Sequence, residues 1–412
     1  MNKKKLIILE KILLLGLIFY VPVDIMNGFL IEKFNISISL FYKFSIVFLM
    51  ILLSVNKKIV QYFIIINILI LLFLIHFLIS ENFLISVLGL DWMIKFMLIF
   101  ISYLYFSSLN LKQFKRNSLI FIKYSFLFYA FNFIIGAFGF GYNTYSNNEG
   151  VKGFFYAMNE VAIGVLICGG ILQMIFISSR YYLLFLFVSF LVIFIGVLSS
   201  TKVMFIGALI VFLSFLYIHV SDSINNKRIN KKTFFLFITV HIILPILILF
   251  SFYYAYYLTN IFDRLQYFYN KLDILTFVFS NRNVYAKMAL DLFLNNYNSI
   301  EILFGSGVLW TYAFNDINMV EIDLIDFLMS YGLFGVFITY GFYIFIVLKN
   351  QFKKRIYYRY TNIIMILVLC ISLTAGHVLN SGHAGIFLGL LMSFCNAKRR
   401  KNEDIGSIKY VP

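Results

Sequence analysis

Charged residues are scarce in this sequence: Asp, Glu, Lys and Arg make up 13% of the 412 residues, whereas 62% are hydrophobic. Soluble domains carry about a quarter charged residues and about half apolar ones, so an ordinary soluble fold is excluded. The same composition excludes a disordered chain and a soluble nucleic-acid-binding protein. The remaining class is an all-α polytopic membrane protein.

Cysteine is also rare, and Cys168, Cys370 and Cys395 all lie in apolar stretches. Their positions argue against disulfides and thiolate metal sites. The motifs of soluble enzymes are missing as well, because the sequence has no Walker A loop, GxSxG, HExxH or GxGxxG. Kinase, hydrolase and ATP-driven transport functions of this chain alone are therefore unsupported, and we predict no cofactor.

Long apolar stretches dominate what is present. A membrane helix needs about 20 mostly apolar residues, and a window of that length predicts about 12 spans. They are roughly 6–23, 36–55, 60–79, 84–108, 118–140, 156–178, 181–198, 202–220, 234–258, 322–348, 362–380 and 383–396.

Most of the 34 lysines and arginines fall in alternate loops of this map. The positive-inside rule then places both termini in the cytoplasm. The net charge of +16 is explained by orientation in the bilayer, so it does not require a nucleic-acid partner. Four regions follow: spans one to nine in 1–258, an extracytoplasmic cap loop in 259–321, the last three spans in 322–396, and a basic tail in 397–412.

The cap loop is far longer than the other connections, and loops of this length are usually functional or disordered. Residues 283–296 can form a short helix in it, and 305–307 form a turn. Arg264 and Arg282 are the only arginines predicted on the outer side. Arginine binds diphosphate oxygens through a planar fork of donors, although a surface arginine paired with a carboxylate is the simpler interpretation.

Other ionisable residues carry two interpretations each. Lys202 either anchors a helix at the interface or binds an anionic head group. Asp91 and Lys95 are four residues apart and form a structural ion pair or a proton relay. Lys43 either extends towards the interface or faces a cavity.

Carboxylates and histidines cluster at the predicted outer ends of the last spans. Glu321, Asp323 and Asp326 open the tenth span, where the helix dipole favours carboxylates, and Asp326 lies deepest. His377 and His383 flank the last outer turn, but no third ligand is evident nearby, so we expect polar contacts to a substrate there and no metal site.

Several short motifs lie at 153–160, 199–202, 280–282, 304–307, 320–326 and 331–335. In this order, and with many spans and one large outer loop before the last helices, they resemble the bacterial O-antigen and capsule polymerases of the Wzy type and the related O-antigen ligases. The resemblance implies a location in the bacterial cytoplasmic (inner) membrane.

The resemblance implies a GT-C-like membrane glycosyltransferase that polymerises oligosaccharide repeat units carried on undecaprenyl diphosphate. A chain-length regulator is an expected protein partner, in addition to the lipid bilayer. Ligases of this family typically carry a histidine where the large loop meets the next span. This loop has none between residues 259 and 321, and Glu321 lies in that position, which favours a polymerase.

The residue roles that follow are expectations. Arg282, with Arg264 or Lys202, would stabilise the leaving diphosphate, and Asp323 or Asp326 would orient or deprotonate the attacking hydroxyl. The remaining candidates would bind sugars or an anionic group. They are Lys152, Asn159, Glu160, Glu321, His377 and His383.

Three rival functions remain. A flippase for the same lipid-linked oligosaccharide would have short outer loops, unlike the 259–321 segment. An ion-coupled transporter would show inverted repeats, and we find none in the sequence. A scaffold subunit of a polysaccharide assembly complex is the third possibility.

Overall fold

The computed structural model describes residues 3–145, 150–225, 279–313, 319–351 and 356–396, together with a few single positions between 245 and 276. This part of the chain is almost entirely helical. Its helices, numbered along the described residues, are α1 (Lys3–Ile18), α2 (Tyr20–Phe34), α3 (Ser39–Ser80), α4 (Phe83–Ser108), α5 (Leu111–Ala137), α6 (Met158–Ser178), α7 (Tyr182–Leu198), α8 (Lys202–Asn225), α9 (Arg282–Asn296), α10 (Ser299–Phe304), α11 (Leu309–Ala313), α12 (Asp323–Gln351), α13 (Ile356–Thr374) and α14 (Ala384–Asn396). One antiparallel pair of short strands, β1 (Tyr142–Asn143) and β2 (Val151–Gly153), lies between α5 and α6.

Seven of these helices are long and apolar enough to cross a membrane: α3, α4, α5, α6, α8, α12 and α13. Helices α1 and α2 together qualify as an eighth, although they are bent by 50° at Phe19. Helices α7 and α14 are apolar but shorter, with 17 and 13 residues. The predicted number of about 12 spans is therefore not reached in the described residues, and the span predicted at 234–258 lies almost wholly outside them.

The long helix α3 contains two of the predicted spans. Its 42 residues would measure roughly 60 Å if straight, about twice the thickness of the hydrocarbon layer. Lys58 departs from helical geometry, with φ −137° and ψ 27°, so the element consists of two helices joined there. Next to this break, the Lys57 ammonium donates to the Ser108 carbonyl at 3.1 Å, at the end of α4.

Helix α6 lies at the centre of the bundle, because residues 161–177 are buried without exception. It contacts α5, α7, α8, α13 and α14. Glu160 lies in its first turn and Asn159 beside it, so this enclosed helix carries two predicted site residues to one end of the bundle.

The helix predicted at 283–296 is present as α9 (Arg282–Asn296). Together with α10 and α11 it packs on the first half of α12, around Phe293, Trp310 and Met329. We call these three helices the cap helices, and the bundle end that they cover the cap end. The first part of the predicted cap loop, 259–278, falls outside the described residues apart from Thr276.

The cap helices are fixed to a break in α12. Gly332 has φ 62° and ψ −164°, which interrupts the helix, and the amides of Ser306 and Gly307 donate to the Met329 and Ser330 carbonyls at 3.0 Å each. The Trp310 indole donates to the Ser330 hydroxyl at 2.9 Å. The two motifs at 304–307 and 331–335 are therefore in contact, and they hold the cap helices in one position on the membrane helix.

Candidate functional site

Four predicted site residues meet at the cap end. The Arg282 guanidinium donates to the Glu321 carboxylate through Nη2 at 2.5 Å and through Nε at 3.2 Å. The Asn159 amide donates to the same oxygen at 3.4 Å, and His377 Nε2 lies 3.7 Å from the other one. We call these four residues the Arg282 cluster. They come from α9, α6 and the segments before α12 and after α13.

Backbone geometry brings these segments together. Glu321 and His377 both have positive φ, 61° and 55°, and the α-carbon of the neighbouring Gly376 packs against the Glu321 backbone. A side chain at Gly376 would begin 2.2 Å from the Glu321 carbonyl carbon. The close approach of these two turns places the imidazole beside the carboxylate.

Asp323 and Asp326 bind backbone amides. Asp323 Oδ2 accepts from Val378 and Leu379 at 2.9 and 2.7 Å, and Asp326 Oδ1 accepts from Val320 at 3.0 Å. Both side chains are almost completely buried. The structure therefore places the two predicted catalytic carboxylates behind the Arg282 cluster, where they fix the segments that carry Glu321 and His377. Their proposed contact with substrate stays a prediction.

The charges of the Arg282 cluster reinforce each other. The His377 imidazole and then Arg282 hold the pKa of the Glu321 carboxyl down at about 2, against the effect of partial burial. Burial opposes the charged form of His377, but Glu321 and the nearby carboxylates outweigh it and raise its pKa to about 9. At neutral pH two cations, Arg282 and His377, therefore surround the Glu321 carboxylate.

A second polar cluster lies deeper in the bundle, around Asp24 of α2. Its carboxylate pairs with Lys43 at 3.0 Å and also binds the Ser39 hydroxyl and His383 Nδ1. His383 Nε2 bonds the Tyr129 hydroxyl. A neutral imidazole satisfies both contacts, with Nδ1–H donating to Asp24 and Nε2 accepting from Tyr129. We call these residues the Asp24 cluster.

Glu160 connects the two clusters. It accepts from the Ser381 hydroxyl, and from the His383 amide at 3.0 Å. Asn159, the preceding residue in α6, binds Glu321. One turn of α6 therefore contacts both Glu321 and the Asp24 cluster. Glu160 has hydrogen bonds but no ion pair in the described part of the chain.

A cavity of about 240 Å³ lies against the Asp24 cluster. Charged side chains from α2, α3, α4 and α6 line it, and Tyr156, which is 57% exposed, lies at its edge. The charged residues that line this cavity are Asp24, Lys43, Asp91, Lys95 and Glu160. Lys95 pairs with Asp91 at 2.6 Å, as the spacing predicted.

Three other cations were predicted as site residues. Lys152 pairs with Glu32 at 3.0 Å and lies 6.0 Å from the Tyr156 ring centre, near the edge of the cavity. Lys202 begins α8 and is exposed. Arg264 lies outside the described residues.

The sequence interpretation missed Asp24 and its partners Ser39 and Tyr129. A usable signal was present, because an ionisable residue within an apolar membrane segment is a site candidate by default. That rule selected Lys43 and Asp91 but was not applied to Asp24, which follows Pro22 at a predicted span end. Its contact with His383, 359 residues later, has no local signal.

Metal-binding geometry was searched across the described residues. In them, no three His, Cys, Asp or Glu side chains converge on a point that could hold a metal ion. His377 and His383 point to different partners, Glu321 and Asp24. The two histidines of the last turn therefore serve separate clusters.

Comparison with known proteins gives one result. Residues 263–399 match the family model described as O-antigen ligase like membrane protein, whereas no curated protein and no solved structure matches the chain. The matched stretch includes Arg282, Glu321, His377 and His383, while Asn159 and the Asp24 side of the cavity lie before it. The chain is thus a multi-pass membrane protein whose residues 263–399 are similar to the O-antigen ligase like membrane proteins.

Proposed function

We propose that the protein is a membrane glycosyltransferase that polymerises oligosaccharide repeat units carried on undecaprenyl diphosphate. The observation that supports this most directly is the Arg282 cluster, in which two cations and one carboxylate are connected through Asn159 and Glu160 to a polar cavity. An O-antigen ligase like domain is consistent with a membrane enzyme of polysaccharide biosynthesis.

In the proposed reaction, an acceptor hydroxyl attacks the anomeric carbon of the donor glycan. A new C–O bond forms, the bond from the anomeric carbon to the diphosphate oxygen breaks, and the configuration inverts. Arg282 and protonated His377 would stabilise the charge that develops on the leaving diphosphate. Glu321 would hold the two cations in position before the donor arrives.

The proton of the acceptor hydroxyl must be taken up by a carboxylate that lies close to both clusters. Glu160 has this position, since it lies between His377 and the cavity lysines and carries no ion pair among the described residues. In this proposal Glu160 accepts the hydroxyl proton, and Asp323 and Asp326 act as positioning residues because their oxygens bind backbone amides. Asn159 and His383 hold Glu321 and Glu160 in place.

The same geometry keeps ligase-type transfer as a second candidate. The sequence argument for a polymerase used the lack of a histidine in 259–321. In the structure, however, His377 lies 3.7 Å from Glu321, at the junction between the cap helices and α12. A histidine is therefore present at this junction, supplied by another segment of the chain.

The proposed role of Arg282 predicts a loss of polymer. Arg282→Ala should reduce long polymer by about 100-fold or more, because a donor that stabilises transition-state charge is removed. Single lipid-linked units should accumulate, and the amount of protein in the membrane should stay normal. Gel analysis of labelled glycans and of lipid-linked intermediates measures both.

Lys287→Ala is the matched control, since Lys287 is an exposed cation on the same helix, α9. This variant should retain polymer of normal length. Normal polymer length in Arg282→Ala would refute the proposed function. A gene deletion separates the alternatives. Loss of a polymerase leaves single units outside the cell, loss of a ligase leaves polymer on the lipid carrier, and loss of a flippase leaves single units inside.

A further inference from the structure

The cavity beside the Asp24 cluster has a charge balance that selects its ligand. Two ammonium groups line it, and each is already paired, Lys43 with Asp24 at 3.0 Å and Lys95 with Asp91 at 2.6 Å. Glu160 adds a carboxylate that has no ion pair among the described residues. The three carboxylates and two ammonium groups of the lining therefore sum to a formal charge of −1, which does not favour an anion.

The hydrogen-bonding groups of the lining suit a polyhydroxyl compound. Each ammonium has three N–H donors, of which the carboxylate partner takes one, and carboxylate oxygens accept more than one hydrogen bond. The lining also includes the side chains of Asn27 and Ser37. The lining thus supplies both donors and acceptors, as the hydroxyl groups of a sugar ring require.

The size and edge of the cavity limit the ligand further. Its volume of about 240 Å³ is smaller than the roughly 300–1,000 Å³ of sites for drug-sized ligands, so it fits a single ring. Phe155 and the exposed ring of Tyr156 supply an apolar surface at the edge. An aromatic face beside hydrogen-bonding groups matches the two kinds of surface that a pyranose presents.

We propose that this cavity binds one uncharged sugar ring, the acceptor end of the incoming repeat unit, and rejects rings that carry a carboxylate. The assignment of this ring to the acceptor rests on the proposed function, in which Glu160 lies between the cavity and the Arg282 cluster. The preference for an uncharged ring rests only on the residues that line the cavity.

Binding to the purified full-length protein in detergent micelles tests the preference. The probes are the methyl glycosides of glucose and galactose, and those of glucuronic and galacturonic acid, which differ from the first pair only at C6. Saturation-transfer NMR should show an uncharged ring bound at least about tenfold more tightly than its acid, because an anion would lie near Glu160. Equal or tighter binding of the acids overturns the proposal, as does failure of both uncharged rings to bind.

Two variants locate the binding. A methyl group at Gly382 would enter the cavity lining 3.4 Å from Lys95 Cγ and 3.8 Å from Lys43 Nζ, so Gly382→Ala should weaken binding of the uncharged ring about tenfold. Gly341→Ala is the control, because its methyl group meets nothing within 4 Å, and it should bind like the unmodified protein. Unchanged binding in Gly382→Ala would place the ring elsewhere and overturn the proposal.

Glu160→Gln tests the charge argument without changing the shape of the cavity. It removes the unpaired carboxylate, so the tenfold preference for the uncharged ring should shrink towards equality. A preference that persists in Glu160→Gln contradicts the proposed cause. These binding measurements do not require turnover, so their failure is distinguishable from failure of the proposed function, which polymer production in Arg282→Ala tests.

Discussion

At the scale of single residues, Asp323 has a predicted role in the reaction and an observed role in holding the turn that carries His377. Its carboxylate side chain and its position at the start of a span, beside the cap helices, are those expected of a general base. Its Oδ2 atom, however, accepts two backbone amides from the turn that carries His377. These bonds place Asp323 beneath the site, where it fixes the position of the imidazole.

This difference can be measured. Asparagine at position 323 retains an oxygen that accepts from Val378 and Leu379, whereas alanine retains none. Asp323→Asn should therefore keep substantial polymer production, and Asp323→Ala should lose most of it. Alanine should also lower the free energy of unfolding by about 1.5–3 kcal/mol per lost bond to the charged group.

Polymer assays and thermal unfolding of the two purified variants provide these measurements. A catalytic base would respond differently, because asparagine and alanine both lack a proton acceptor of useful basicity. Equal loss of polymer in both variants, with unchanged thermal stability, would indicate that Asp323 takes part in the reaction as a catalytic base.

Local patterns predicted some of these residues well. The (i, i+4) spacing of Asp91 and Lys95 predicted their ion pair, since neighbours on a helix face need no tertiary information. The contact of Arg282 with Glu321 joins residues 39 apart, and that of Asp24 with His383 joins residues 359 apart. Such contacts depend on how helices pack, which charge and periodicity along the chain do not specify.

At the scale of elements, the contact between α10 and α12 depends on two glycines in unusual conformations. Gly305 has φ 73° and ψ 174°, and Gly332 has φ 62° and ψ −164°, a region occupied essentially by glycine alone. Each backbone lies against the other segment: a side chain at Gly332 would begin 2.4 Å from the Leu303 carbonyl carbon. The break in α12 frees the Met329 and Ser330 carbonyls to accept from the amides of the 304–307 segment.

A methyl group at Gly332 should therefore separate the cap helices from the bundle. Gly332→Ala adds about 1–3 kcal/mol of backbone strain, to which the contact with Leu303 adds a steric clash. Gly341→Ala, in the same helix and with open space around it, should be neutral or slightly stabilising.

Limited proteolysis of the purified variants measures the result. Cleavage within residues 283–304 should be faster in Gly332→Ala than in the unmodified protein, and unchanged in Gly341→Ala. Equal cleavage rates in all three proteins would mean that the 304–307 segment docks without the glycine at 332.

The sequence predicted the cap helix α9 and the turn at 305–307 because their signals are local. It did not predict that the turn docks on a helix break, since a glycine inside an apolar span, here Gly332, gives no indication of its φ. The apolar window predicted two spans in the region of α3, 36–55 and 60–79, and the break at Lys58 lies between them.

At the scale of the whole molecule, the proposed reaction requires that the cap end faces away from the cytoplasm. The distribution of lysine and arginine along the sequence predicts this orientation. Asn295 on α9 and Lys112 on α5 are both exposed and belong to opposite sides in the predicted map. They are suitable positions for single-cysteine labelling.

The test starts from a Cys370→Ser background, because Cys370 is an exposed cysteine while Cys168 and Cys395 are buried. Asn295→Cys should react with a membrane-impermeant maleimide in intact cells. Lys112→Cys should react only after the cells are permeabilised. The reverse pattern would place the Arg282 cluster in the cytoplasm and remove the basis of the proposed function.

Helix α3 has a further consequence for how the molecule is held together. Only 11% of its most apolar window is buried, and side chains such as Phe63, Ile70 and Leu78 face outward. Annular lipid must therefore supply most of the apolar surroundings of this helix. One arm of α3 carries Lys43 of the Asp24 cluster, and the other carries His76, which contacts the Phe304 carbonyl of the cap helices. The thickness of the surrounding bilayer therefore affects both contacts through the position of α3.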